Sequence, residues 1–148
     1  MTSLSEFDLI DRYFAPLAET KNEHVYIGTG DDCGVIATPP GTSLCFSIDT
    51  MVEGVHFPKG APPFELGYRA LATALSDLAA CGAKPFFFTL ALTLPEANPG
   101  WIEAFSSGLK LLSNKFNCPL LGGDTTRGPL TISIQVHGLV SKPALQRK

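Results

Sequence analysis

The sequence lacks any apolar run long enough to cross a bilayer. The longest, Phe86 to Leu94, falls well short of the ~20 residues a membrane helix needs. Basic tracts are missing as well. The chain carries 11 Lys and Arg against 14 Asp and Glu, a formal net charge of −3, and no stripe of basic and aromatic residues runs along it. Neither nucleic acid nor a membrane is therefore expected as a partner. The opening stretch MTSLSEFDLIDRYF has acids early and no basic n-region, so it does not read as a secretory signal. Cysteine is sparse and scattered, at Cys33, Cys45, Cys81 and Cys118, with no C-x-x-C spacing. That argues against a disulfide framework or a zinc site, and free thiols in a reducing cytoplasm are the expectation. His24, His56 and His137 show no H-E-x-x-H spacing, and no nucleophile–histidine constellation stands out.

What is present is a globular composition, 45% apolar and 17% charged, in 148 residues, enough for one domain with a real core. Ser3-Leu4-Ser5-Glu6 reads as a capping box before a first helix, with Phe7, Ile10, Phe14 and Leu17 as its apolar stripe. Short strands are expected at 25–27 and 35–37. Residues 43–49 alternate cleanly, with Leu44, Phe46 and Ile48 on one face and Cys45, Ser47 and Asp49 on the other. A loop over 51–63 leads to a helix over 64–80, stopped by Gly82 and Pro85. A continuous apolar strand follows at 86–94. Asn98-Pro99 caps the next helix, whose stripe is Trp101, Phe105, Leu109, Leu112 and Phe116. Leu120-Leu121 is a short strand ending in Gly122-Gly123-Asp124. After a turn at 127–129, residues 130–140 alternate again. The fold class is α+β: a β-α-β-α-β-β core with a mixed, mainly antiparallel sheet backed by helices, preceded by an N-terminal helix and a small β element.

Four acids fall where chemistry could use them: Asp32 in the loop Gly28-Thr29-Gly30-Asp31-Asp32-Cys33-Gly34, Asp49 and Asp124 at strand ends, and Asp77 in a mostly apolar helix. Glycines of this density often bring a backbone close to phosphate, yet the loop has no Lys or Arg. It is not a P-loop, a Rossmann fingerprint or an EF-hand. Two carboxylates ~5 Å apart repel by about 3 kcal/mol at an effective dielectric of ~20. If the four gather at one pocket, either some protonate or a divalent cation joins them, and Mg²⁺ suits such oxygen donors. The plainer alternatives are a solvated turn for Asp31-Asp32, a strand-connecting turn for 124–129, an exposed loop for His56, and a pair with Arg69 or Lys84, or partial exposure, for Asp77.

Four stretches taken in order and spacing carry more weight than any one. They are Gly28-Thr29-Gly30-Asp31-Asp32-Cys33, Ser47-Ile48-Asp49-Thr50-Met51-Val52-Glu53-Gly54-Val55-His56-Phe57, Leu75-Ser76-Asp77-Leu78-Ala79-Ala80-Cys81-Gly82-Ala83 and Gly122-Gly123-Asp124-Thr125-Thr126-Arg127-Gly128. Together they resemble the thiamine-monophosphate kinases, within the aminoimidazole ribonucleotide synthetase-like superfamily. The resemblance implies ATP-dependent phosphorylation of thiamine monophosphate to thiamine diphosphate, with ATP as co-substrate. It implies Mg²⁺ ions held by Asp32, Ser47, Ile48, Asp49, Asp77 and Asp124, nucleotide contacts at Gly123, Asp124 and Arg147, and substrate contact at His56. Ile48 stands where the family commonly has Thr, so it can offer only its backbone carbonyl. No residue is implied as a general base. The resemblance further implies a homodimer whose N-terminal sheets close a shared barrel. Residues 1–140 are then the ATP- and Mg-binding, dimerising domain, and 141–148 the start of a linker to a second domain. The alternatives are a dimerisation or metal-binding module without catalysis, or a related enzyme of hydrogenase maturation or selenophosphate synthesis.

Overall fold

The structure, a computed structural model, describes residues 10–18 and 24–141. The capping box at Ser3–Glu6, Phe7, Arg147 and the linker over 142–148 lie outside the described residues. The N-terminal helical segment opens as a π turn (Ile10–Phe14) and continues as a short helix α1 (Ala15–Ala18). Its Phe14 and Leu17 are buried, as the stripe predicts. Strands β1 (Val25–Ile27) and β2 (Val35–Ile36) pair antiparallel around the glycine loop.

The main sheet contains β3 (Thr42–Val52), β4 (Lys84–Leu94), β5 (Leu120–Arg127) and β6 (Thr131–Ser141), in the order β3-β6-β4-β5. β6 is antiparallel to both β3 and β4, and β4 is parallel to β5. The sheet is thus mixed and mainly antiparallel. The parallel pair needs a crossover, supplied by α3 (Pro99–Phe116), while α2 (Pro63–Ala80) joins β3 to β4. Pro63 and Pro99 stand at helix N-termini, where the missing N–H costs nothing. The Asn98 side chain accepts the Trp101 N–H at 3.1 Å, and Asn117 closes α3 in the left-handed region. Both helices cover one face of the sheet. Leu71, Ala74 and Leu78 of α2 and Ile102, Phe105, Leu109 and Leu112 of α3 join Phe88, Leu90, Leu92, Ile132, Ile134 and Val136 in one core.

The structure corrects the sequence expectation at the end of β5 and decides on β3 which face is buried. β5 does not end at Gly122-Gly123-Asp124 but runs through Asp124 to Arg127, held by β4. On β3, the apolar set is not the buried one. Cys45, Ser47, Asp49 and Met51 face the helices, whereas Phe46 and Ile48 are 67% and 62% exposed on the open face. Phe46 pairs with His137, whose ring stacks on Phe87 at 4.2 Å. The β1–β2 ribbon covers only part of that face, where Val25 and Ile36 pack on Phe86, Phe87 and Leu121.

Candidate functional site

Helix α2 runs back along the inner face of β3, and this brings one group of candidate residues together. The Ser47 hydroxyl donates to Asp77 Oδ2 at 2.6 Å. Asp77 is exposed, one of the alternatives its helix pattern left open, and hydrogen-bonded across to the strand. Asp49 follows Ser47 on the same strand face. Its Oδ2 is buried without a hydrogen-bond partner. Burial first, and then the charge of Asp77, push the Asp49 carboxyl above the ordinary carboxylate range. An orphaned carboxylate oxygen, a second acid and a hydroxyl form an all-oxygen donor set. That chemistry fits Mg²⁺, whose charge would give Asp49 its missing partner and offset its repulsion with Asp77. The Ile48 side chain points to the opposite, open face, which leaves only its backbone for such a role.

A second group lies at the other edge of the sheet. Asp32 and Asp124 line a cavity of about 490 Å³, together with Thr29 and Gly30 of the glycine loop, Gly122 and Gly123 of β5, and Phe14 and Leu90 at its apolar side. Asp31 Oδ1 accepts the Asp32 N–H at 2.8 Å, which shapes the loop and leaves the Asp32 carboxylate exposed. A Cβ at Gly123 would run into the carbonyl oxygen of Leu90, so the close approach of β5 to β4 reserves that position for glycine. Phe14 and Leu90 read from sequence only as core residues. The signal for Thr29 and Gly30 was the motif itself.

The single pocket expected for Asp32, Asp49, Asp77 and Asp124 does not form within one chain. β3 and β5 are opposite edges, three strand spacings or ~14 Å apart. Across the register, Asp49 aligns with Ile134, Leu90 and Gly123 on the helix side, and Asp124 aligns with Ala91 and Ser133 on the open side. Among the described residues no three His, Cys, Asp or Glu side chains stand close enough to hold an ion. His56 joins neither group. It sits in the turn after β3, where its Nδ1 accepts the Val52 N–H at 3.1 Å, so a neutral ring carries its proton on Nε2. The strand ends of β3, β4 and β5 point the same way, and His56 lies at that end of the sheet.

Comparisons with known proteins bear on the family and the fold. The sequence model of the AIR synthase related protein, N-terminal domain, matches residues 30–140. The thiamine-monophosphate kinase of Salmonella typhimurium is 48% identical over 135 residues, which is 91% of this chain and 41% of that protein. The crystal structure of thiamine-monophosphate kinase from Stenotrophomonas maltophilia superposes with a TM-score of 0.86 at 43% identity, covering 99% of this chain and 46% of that one. AaThiL complexed with AMPPCP and TMP superposes with a TM-score of 0.67 at 28% identity, over 95% of this chain and 45% of its own. The chain thus spans less than half the length of the relatives it matches. It belongs to the AIR synthase related family, as that family's N-terminal domain, and its similarity within the family is to the thiamine-monophosphate kinases.

Proposed function

We propose that this chain is the nucleotide- and magnesium-binding half of an enzyme that transfers the γ-phosphoryl group of ATP to thiamine monophosphate. The observation that carries the reading is the buried, unpartnered Asp49 oxygen beside the Ser47–Asp77 hydrogen bond, in a chain 48% identical over 135 residues to a thiamine-monophosphate kinase. Asp49, Asp77 and Ser47 would hold Mg²⁺ from one side. Asp32, Asp124 and Gly123 would border the nucleotide phosphates, with the glycines keeping side chains out of the way. His56 would offer Nε2–H to the substrate phosphate, and Arg147 would reach the nucleotide. Bound Mg²⁺ supplies neutralisation of the charge on the phosphates. Phosphoryl transfer depends mainly on positioning and charge, and a substrate phosphate oxygen is already anionic near neutral pH.

The two acid groups would meet between two copies of the chain. Closing the open faces of two sheets, with the β3 edge of one copy against the β5 edge of the other, covers Phe46 and Ile48 and brings Asp49 of one chain towards Asp124 of the second. Such closure removes both exposed edges. The test is calorimetric titration of AMPPCP into the chain with and without Mg²⁺. Binding is expected to require Mg²⁺ and to be lost in Asp49→Asn and in Asp124→Asn. Mixing the two variants should restore about one quarter to one half of the sites, because a mixed pair keeps one intact seam. Nucleotide binding that ignores Mg²⁺ and both substitutions would refute the reading.

A further inference from the structure

The alignment of β3 with α2 brings two of the four cysteines to the same level of their contact, away from the open face of the sheet. The Ser47–Asp77 hydrogen bond fixes the alignment of the two elements. Two residues back along β3 is ~6.6 Å, and four residues on along α2 is ~6 Å. Because strand and helix run in opposite directions, these steps lead to Cys45 and to Cys81, the residue that caps α2. Cross-strand packing agrees. Cys45 is the register partner of Gly138 and its thiol reaches the Gly138 carbonyl at 3.5 Å. The helix-facing side of Gly138 abuts Leu78 and Ala83, the residues that flank Cys81. Both side chains are partly exposed, whereas Cys33 is exposed and Cys118 is buried. A small oxidant can reach the pair.

We propose that Cys45 and Cys81 are a redox site: hydrogen peroxide converts them to an intrachain disulfide that clamps the C-terminal turn of α2 onto β3. One sulfur attacks the peroxide, the O–O bond breaks, and a sulfenic acid forms with release of water. The second thiol displaces the hydroxyl, the S–S bond forms, and a second water leaves. Two thiols lose two electrons and two protons, and the peroxide is reduced to two waters. A thiol reductant reverses the step. The clamp lies one helical turn from Asp77 and two residues from Ser47, so it fixes the spacing of the proposed cation ligands. That consequence rests on the cation reading above; the disulfide itself does not.

The experiment treats the purified chain with stoichiometric hydrogen peroxide, alkylates it under denaturing conditions and maps peptides by mass spectrometry. The expected product is a Cys45–Cys81 cross-linked peptide. It should disappear with dithiothreitol and be absent in Cys45→Ser and in Cys81→Ser, while Cys33 and Cys118 stay alkylatable. Oxidation is expected to raise the thermal midpoint of the wild type and of neither variant. Separate oxidation of Cys45 and Cys81 to sulfinic acids, or pairing of either with Cys33, overturns the proposal. Titration of Mg²⁺ into the reduced and cross-linked forms is expected to differ by about fivefold or more. A cross-link with equal Mg²⁺ affinity removes the coupling, whereas no Mg²⁺ binding in either form counts against the cation reading and leaves the disulfide standing.

Discussion

At the scale of single residues, Asp49 carries the clearest energetic signature. Its folded-state carboxyl titrates above its unfolded value, because of burial and of Asp77. The folded state therefore holds that proton more tightly. Its stabilising effect is complete below the ordinary carboxylate range and is lost as pH rises through the raised value. At neutral pH, without a cation, the ionised Asp49 is a burden on the fold. Asp49→Asn is expected to be more stable than the wild type in urea unfolding at pH 7 with chelator, and the gap should close at acid pH. Added Mg²⁺ should stabilise the wild type and leave the variant unchanged. His137 shows the opposite case on the other face of the sheet. Burial lowers its pKa, and its Nδ1 has no partner. Nothing in the sequence flagged it, because its neighbours Phe46 and Phe87 come from two other strands.

At the scale of elements, the order of strands and helices was legible because each carries its own local signals. Asn98-Pro99 announces α3, and Leu71, Leu75 and Leu78 mark the inner side of α2. What local pattern could not decide was which face of a strand meets the helices. The alternation of β3 is plain, yet its polar set faces inward, because α2 brings Asp77 to Ser47. The length of β5 was hidden for a related reason. Gly122-Gly123 has weak strand propensity, and only pairing with β4 extends it to Arg127. The α2–α3 crossing likewise depends on two glycines from distant parts of the chain. A Cβ at Gly67 would strike the Phe105 carbonyl oxygen, and one at Gly108 the Phe64 carbonyl oxygen. Gly67→Ala is expected to destabilise the chain by about 1–3 kcal/mol in urea unfolding. Gly100→Ala, whose nearest neighbour is Asn98 Oδ1 at 3.6 Å, should be close to neutral.

At the scale of the whole molecule, the open face decides the behaviour. Leu44, Phe46 and Ile48 form an exposed apolar row along the edge strand β3. A row of this kind on an edge is a common mark of an association surface. If the chain pairs as proposed, Phe46→Glu is expected to shift it from dimer to monomer in sedimentation velocity with an unchanged circular-dichroism spectrum. Leu111→Glu, on the exposed side of α3, should leave the assembly intact. The identities of the acids were legible from sequence, but their grouping was not, since strand order alone determines that Asp49 and Asp124 occupy opposite margins. On the seam reading, a solitary molecule owns two unmatched halves and no finished centre. Output at low abundance then grows with the square of the number of molecules, so the first copies synthesised contribute almost nothing and a modest rise in expression acts as a threshold.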